Sequence, residues 1–478
     1  MRQKPLVLPI RTALGTYFYE TNRNEIVVVN EQLFECIEQV CTHDSDEILV
    51  ADEIEQQYDE LQSNGYLSPG CVEDILHPAT AQLANLLDRG ISMLSLQITQ
   101  QCNLRCKYCI YSEDKNLSQR SHSSNVMTLD VAKKAILFYR QHSIDVGKPV
   151  ICFYGGEPLL AFPTIVKAVE YAEDVFEGRD ISYNITTNGT LLSDEIIDFL
   201  LDHDFKITFS LDGPKAVHDR NRVFQNGSGS YDQVISNILK IHSKAPEAME
   251  KMNISMVIQP DQDYRELISI FNEPALKDIS VIPAVVEENS ISKQLSSDYI
   301  SDFSYESFLS LVEYFRDKKI CHSNPLQTSY INGFKQNIDK VKPTYLGSIS
   351  APGGPCIPGK LRMFIDCFGN IFPCERVDES ADMKIGTIEQ GFDIDRVDKI
   401  MNVARLTPDL CKKCWAFPFC GICAKASSEE GKLSASRRAI SCKDARYNAY
   451  SIIMGKILIY ENQQHMRKMN QILGGKVL

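Results

Sequence analysis

The 478-residue chain has a single tryptophan and no excess of positive charge: 50 Lys and Arg stand against 63 Asp and Glu, a net charge of -13. A broad nucleic-acid surface needs clustered cations to neutralise phosphates, so no nucleic-acid partner is expected. Long hydrophobic runs are missing as well. The longest late one, "YSIIMGKILIY" (450–460), contains Lys456 and is too short to span a bilayer, so no membrane partner is expected. Nor does an apolar stretch of the kind found in secretory signals follow Met1-Arg2-Gln3-Lys4-Pro5, and the expected location is cytoplasmic. No internal repeat stands out beyond the strand–helix alternation described below. What remains is an ordinary globular composition, 44% hydrophobic and 24% charged, with length for about three domains at ~150 residues each.

Cysteine is the exception to this ordinariness. There are sixteen, too many for chance and unsuited to a disulfide framework in a reducing compartment. Three crowd into 102–109 and eight fall between 356 and 442. Clustered thiolates suit zinc and iron–sulfur centres, so metal ligation leads. Cys36, Cys41, Cys71, Cys152 and Cys321 stand outside both groups and read as small apolar or incidental residues.

Residues 1–85 read as a small α/β unit. "TYFYETNRNEIVVVN" suggests two strands joined at Asn22-Arg23-Asn24, followed by helical spacing in "EQLFECIEQV" and "ADEIEQQYDELQSNGYL". A winged-helix-like module and a packing extension of the main domain both fit. From about residue 90 to 310, six short apolar runs alternate with helix-length segments. That alternation predicts an α/β fold with a parallel sheet, open or curled toward a partial barrel. Ligands in such folds bind at the carboxyl ends of the strands. "QQCNLRCKYC", "GGEP", "TNGT" and "LDGP" each begin where a strand ends, which puts four candidate loops on one rim. Residues 311–350 read as a linker or bridging region rich in breakers, 351–445 as a cysteine-rich section, and 446–478 as a helical tail.

In "CNLRCKYC", Cys102, Cys106 and Cys109 are three thiols where a closed structural site takes four ligands. Placed at the mouth of a parallel barrel, they can hold a [4Fe–4S] cluster by three irons and leave the fourth to a small molecule. A zinc site completed by another Cys is the competing explanation.

The CxxxCxxC spacing, Tyr108 before the last Cys and "YGGEP" (154–158) after the second strand resemble the radical SAM superfamily. The resemblance implies a partial (β/α)6 radical SAM barrel in which S-adenosylmethionine (SAM) fills the vacancy. Gly155, Gly156 and Glu157 would then hold the methionine amino end, with Tyr108 near the adenine. Ser210 and Arg222 would contact the ribose and the methionine carboxylate, against ordinary loop hydrogen bonding and a surface charge. "TTNGT" equally suits a turn, with Gly189 chosen for positive φ. One-electron cleavage of SAM would give a 5′-deoxyadenosyl radical able to take hydrogen from an unactivated C–H bond.

The C-terminal pattern runs Cys356, Cys374, Cys411-x2-Cys414-x5-Cys420-x2-Cys423, Cys442. It looks like the SPASM domain of radical SAM maturases, except that the last internal spacing is usually three residues and "CGIC" gives two. The resemblance implies two auxiliary [4Fe–4S] clusters, three in all. Cys411, Cys414, Cys420 and Cys442 would hold the outer one. Cys356, Cys374 and Cys423 would hold the inner one, with Cys367 as fourth ligand or with that position open to a substrate thiolate. A pair of zinc ribbons is the competing assignment. Two candidate catalytic residues follow from relatives: Glu375, where an acidic residue accepts a proton from substrate, and Tyr111, at an aromatic position lining the substrate cavity. A solvent-facing Glu and a packing Tyr are the plain alternatives.

Within the superfamily the chain looks most like thioether-forming (ranthipeptide- or sactipeptide-type) maturases of Cys-rich ribosomal peptides. The expected partners are a Cys-containing precursor peptide with a leader, paired as an added strand on the N-terminal unit, and a flavodoxin or ferredoxin reductant. A sulfatase-maturase-like Cys/Ser dehydrogenase forming formylglycine is the runner-up, and a C–C cross-linking maturase the third. A non-catalytic iron–sulfur electron carrier would explain the cysteines but not GGEP.

Overall fold

The computed structural model describes residues 3–42, 51–109, 122–288, 291–317 and 324–472. At the N-terminus, β1 (Val7–Arg11), β2 (Thr16–Glu20) and β3 (Glu25–Val29) form an antiparallel sheet in that order. The expected hairpin is β2–β3, turning through Asn24 at φ 51°, a left-handed conformation that Asn tolerates. β1 adds a strand that the sequence pattern does not announce. It contains Pro9, which a sheet tolerates on an outer strand. Phe18 of β2 packs against α1 (Glu31–Thr42) and α2 (Asp52–Ser63) through Leu33, Cys36, Ile37, Ile54 and Tyr58. Tyr17 and Tyr19, alternating with Phe18, face the opposite way onto Ile453 and Ile457. Cys36 is thus an apolar core residue.

After β4 (Asp74–Ile75) and α3 (Leu83–Arg89) the main sheet begins. It alternates β5 (Met93–Thr99), α4 (Leu129–His142), β6 (Val150–Gly155), α5 (Phe162–Val175), β7 (Ser182–Thr187), α6 (Asp194–Asp202) and β8 (Lys206–Ser210). It continues with α7 (Lys215–His218), α8 (Tyr231–Lys244), β9 (Met252–Ile258), α9 (Tyr264–Ile268) and β10 (Ser280–Val285). β5 to β10 lie side by side in chain order and all parallel. Ile151, Phe153, Tyr183, Ile185, Ile207 and Phe209 turn into the hydrophobic core. Cys152, Tyr154, Asn184, Thr186 and Thr208 alternate with them and therefore line the other face. Helix starts are set locally: Thr128 and Ser193 cap α4 and α6 by accepting from the amides of Val131 and Ile196.

The remainder opens with the short pair β11 (Glu287–Glu288) and β12 (Ile291–Ser292). Residues 311–350, which read as a breaker-rich linker, hold the end of α10 (Ser297–Asp317) and the whole of α11 (Pro325–Ile338). β13 (Ile349–Ser350) pairs with β4. β14 (Met363–Ile365), β15 (Asn370–Phe372), β16 (Gly386–Thr387) and β17 (Gly391–Phe392) then extend the main sheet to ten strands, because β14 pairs parallel with β5. α12 (Ile394–Met401), α13 (Pro408–Lys412) and the pair β18 (Ser428–Glu429) and β19 (Lys432–Leu433) follow. The chain then enters α14 (Ala435–Ile472). No break occurs at 446: the tail is the continuation of a helix that already carries Cys442. Among the described residues no helix is long and apolar enough to cross a membrane.

Candidate active site and thiol centres

The loop after β5 carries Cys102, Cys106 and Cys109, and the chain between α7 and α8 holds it in place. Arg105 and Lys107 donate their amides to Val223 and Asn221 (2.7 and 3.1 Å), and the Cys109 amide turns back to the Cys106 carbonyl (3.1 Å). The Cys106 and Cys109 thiols and the Glu157 carboxylate all bear on the ionisation of Cys102. Burial pushes Cys102 up to about 12 and Cys106 to about 11. Nitrogens surround the three sulfurs. Cys102 Sγ lies 3.4 Å from the Leu104 amide and 3.9 Å from Asn188 Nδ2, Cys106 Sγ is 4.0 Å from Arg222 Nη1, and Cys109 Sγ is 3.8 Å from His122 Nε2.

Gly155 and Gly156 are required by crowding. A Cβ on Gly155 would stand 2.2 Å from the Thr99 carbonyl oxygen, and one on Gly156 2.1 Å from that of Gln101. Their loop is stitched to the end of β5, with the amides of Gly156 and Glu157 donating to Thr99 and Gln101 (2.8 and 2.7 Å). Glu157 is fully buried and accepts from the Leu159 amide, Thr187 Oγ1 and the Asn188 amide at 3.0, 2.8 and 2.7 Å. Burial raises it to about 7. Its oxygens thereby join the GGEP loop to the TTNGT loop.

Arg222 is not a surface charge. It is buried, and its Nε donates to Asp212 at 3.0 Å, while its guanidinium lies 5.4 Å over the Tyr108 ring. Tyr108 Oη also donates to Asp212 Oδ2, and the Val257 amide donates to Oδ1 at 3.0 Å. Behind them His218 Nδ1 faces the Asp212 amide at 3.4 Å, Nε2 faces Ser230 Oγ at 2.9 Å, and Ser230 Oγ donates to the Arg222 carbonyl at 2.9 Å. Ser210 ends β8 on the same rim. Sequence reading passed over Asp212, although it stands inside the quoted "LDGP". A carboxylate two residues past a strand end was the available signal.

The C-terminal cysteines fall into two sets. Cys423 and Cys356 both bear on Cys374, whose thiol burial raises to about 11. Glu375 is ion-paired with Arg362 beside this trio, and both bear on Cys152 of β6. Cys367 points elsewhere. Its Sγ donates to the Gln97 carbonyl at 3.2 Å, and its charged neighbours are Asp366 and Glu379 rather than any cysteine. The structure does not bring it to the trio. Tyr111 lies outside the described residues.

Cys411, Cys414, Cys420 and Cys442 line one cavity together with Ile422, Arg438 and Arg446. Arg438 is fully buried. Its Nε donates to Thr407 Oγ1 (3.1 Å) and its Nη1 to the Ile422 carbonyl (2.9 Å), and its Nη2 lies 3.8 Å from Cys411 Sγ. Among the described residues no carboxylate pairs with it. A buried guanidinium favours negative charge on the groups it faces, and here it faces Cys411 Sγ. Among the described residues no group of three or more His, Cys, Asp or Glu is arranged around a single metal ion.

Residues 96–273 match the Radical SAM superfamily. The cysteine-type anaerobic sulfatase-maturating enzyme of Clostridium novyi is 24% identical over 368 residues, covering 74% of this chain and 93% of that enzyme. The serine-type enzyme of Bacteroides thetaiotaomicron is 34% identical over 155 residues, 32% of this chain and 37% of that enzyme. The solved structure of native anSMEcpe with bound AdoMet and Kp18Cys peptide aligns with a TM-score of 0.55 at 20% identity, covering 78% of this chain and 99% of that one. That likeness is one of fold. The chain carries a radical SAM domain over the matched residues, homologous to that of the anaerobic sulfatase-maturating enzymes, and such a domain implies a [4Fe–4S] cluster and SAM.

Proposed function

We propose that the chain is a cytoplasmic maturase that installs Cys thioether cross-links in a ribosomally made precursor peptide. The observation that carries this reading is the placement of Cys367 away from Cys356, Cys374 and Cys423. Three protein thiols leave one position at the inner centre for a thiolate of the substrate. SAM held at the Cys102–Cys106–Cys109 loop supplies, on one-electron reduction by a flavodoxin or ferredoxin, the radical that takes hydrogen from carbon. Tyr108 and Arg222, fixed by Asp212, bound the space for it, and Ser210 lies on the same rim. Glu375, held by Arg362 beside Cys374, would take the proton of an incoming thiol. The leader would add as a strand to β1 or β3, the outer strands of the N-terminal sheet. Three [4Fe–4S] clusters belong to this reading.

Formylglycine formation is the second reading, favoured by the coverage of 93% of the Clostridium novyi enzyme. Mass spectrometry of a co-expressed Cys-bearing peptide separates the two. Thioether formation removes two hydrogens per bridge together with the thiol's reactivity to alkylation, and keeps the sulfur. An aldehyde with sulfur lost supports the second reading. Two hydrogens lost with every thiol still alkylatable points to C–C bonding, and no change with no 5′-deoxyadenosine released overturns all three.

A further inference from the structure

Arg438 is the largest fully buried side chain among the described residues. Its three donors tie together the segments that carry the outer quartet. Thr407 begins the turn leading to Cys411, Ile422 lies between Cys420 and Cys423, and Arg438 itself sits one helical turn before Cys442 on α14. A second guanidinium, Arg446, is one turn further on and hydrogen-bonds Cys414. The helix therefore presents Arg438, Cys442 and Arg446 on one face, all lining the same cavity. The inner trio has the opposite character: its adjacent charges are a carboxylate and the guanidinium that neutralises it, Glu375 and Arg362.

We propose that Arg438 is the counter-charge of the outer centre and sets its reduction potential above that of the inner one. The inference rests on the reading that the quartet holds an iron–sulfur cluster. Taking up one electron adds a negative charge to the centre and breaks no bond. A fixed cation nearby, in a low-dielectric surrounding, stabilises the reduced form more than the oxidised form and so raises the potential. At the inner centre Glu375 and Arg362 largely cancel. The difference directs electrons outward, from the centre near β6 to the one beside α14. Arg438 is thus a positioning and charge-setting residue that touches neither substrate nor SAM.

The test is a potentiometric titration of anaerobically purified, reconstituted protein with dithionite and mediators, followed by electron paramagnetic resonance. In the wild type one auxiliary signal should appear before the other, and Cys442→Ala should remove the earlier one. At a fixed potential near its midpoint, Arg438→Gln should lower the reduced-to-oxidised ratio of that signal about tenfold, and Arg438→Lys should restore most of it. Arg446→Gln, at an exposed position, should move the ratio the same way by less, and it carries the test if Arg438→Gln does not fold. Unchanged ratios in every folded glutamine variant overturn the proposal while leaving the cluster intact. If Cys442→Ala loses no iron and no signal, the underlying reading fails instead.

Discussion

Three donors converge on one buried carboxylate at Asp212: Tyr108 Oη, Arg222 Nε and the Val257 amide. Asp212 exposes 1% of its side chain and Arg222 9%, so the pair lies beyond the reach of solvent screening. Removing one partner of such a pair strands the other charge. Asp212→Asn should therefore cost about 3–5 kcal/mol, read as a lowered urea midpoint. His218, behind the pair, gives a second prediction. Burial is the first cause that lowers it from 6.5 to about 4. The unfolded chain takes up the proton first as pH falls, so the stability held here is complete above about 6.5 and is lost progressively toward 4. The loss is roughly 3 kcal/mol by linkage. Urea midpoints should fall more steeply from about pH 7.5 to about pH 5 in the wild type than in His218→Gln, whose amide keeps a donor for Ser230. The rim motifs were legible because CxxxCxxC, GGEP and the strand ends are local patterns. Asp212 offers only the local signal of a carboxylate two residues past a strand end, and Arg438 offers none, because its mark is burial without solvent, which the folded chain reveals.

At the scale of elements, β2 is covered on both faces, and the two covers come from distant parts of the chain. Phe18 meets α1 and α2, while Tyr17 and Tyr19 meet Ile453 and Ile457 of α14. Tyr17 Oη also donates to Glu461 at 2.9 Å. The N-terminal unit is therefore anchored by the last helix, and loosening that helix should loosen the sheet. Ile457→Ala removes a side chain that is 1% exposed and should cost about 2–5 kcal/mol. Its signature would be faster hydrogen exchange at the β2 amides, with β7 and β8 unchanged. The alternation of "TYFYE" announced β2, but a period of two cannot say that both faces are buried. The length of α14 was equally hidden. Ser434 is the start signal in "SASRRAISC", its Oγ accepting from the Arg437 amide at 3.2 Å, but a serine in a cysteine-rich stretch does not by itself say that the helix runs unbroken past 446.

Across the whole molecule, the ten-stranded sheet fixes where each thiol can be. β14 pairs with β5 and turns into β15, so Cys367 and Cys374 belong to one hairpin joined to the main sheet. Asp366 closes its turn, accepting from the amides of Phe368 and Asn370 at 2.9 Å each. Cys367 is thereby held against β5, with its amide on Gln97 Oε1 and its Sγ on the Gln97 carbonyl. Cys374, just past β15, joins Cys356 and Cys423. Spacing in the sequence could group these cysteines but could not orient them, because Cys367 lies in the turn and Cys374 past the end of β15, at opposite ends of the second arm. The metal inventory of the protein makes the distinction measurable. Under the three-cluster reading, Cys374→Ala should lower iron and sulfide by about four each per chain. Cys367→Ala should leave both at the wild-type level, and it should keep the open inner position to which a Cys-bearing peptide adds. Loss of about four irons in Cys367→Ala would mean that Cys367 swings to the trio once the cluster forms. The inner centre would then be closed to substrate, and formylglycine formation, with Glu375 as base, would become the better account of the same residues.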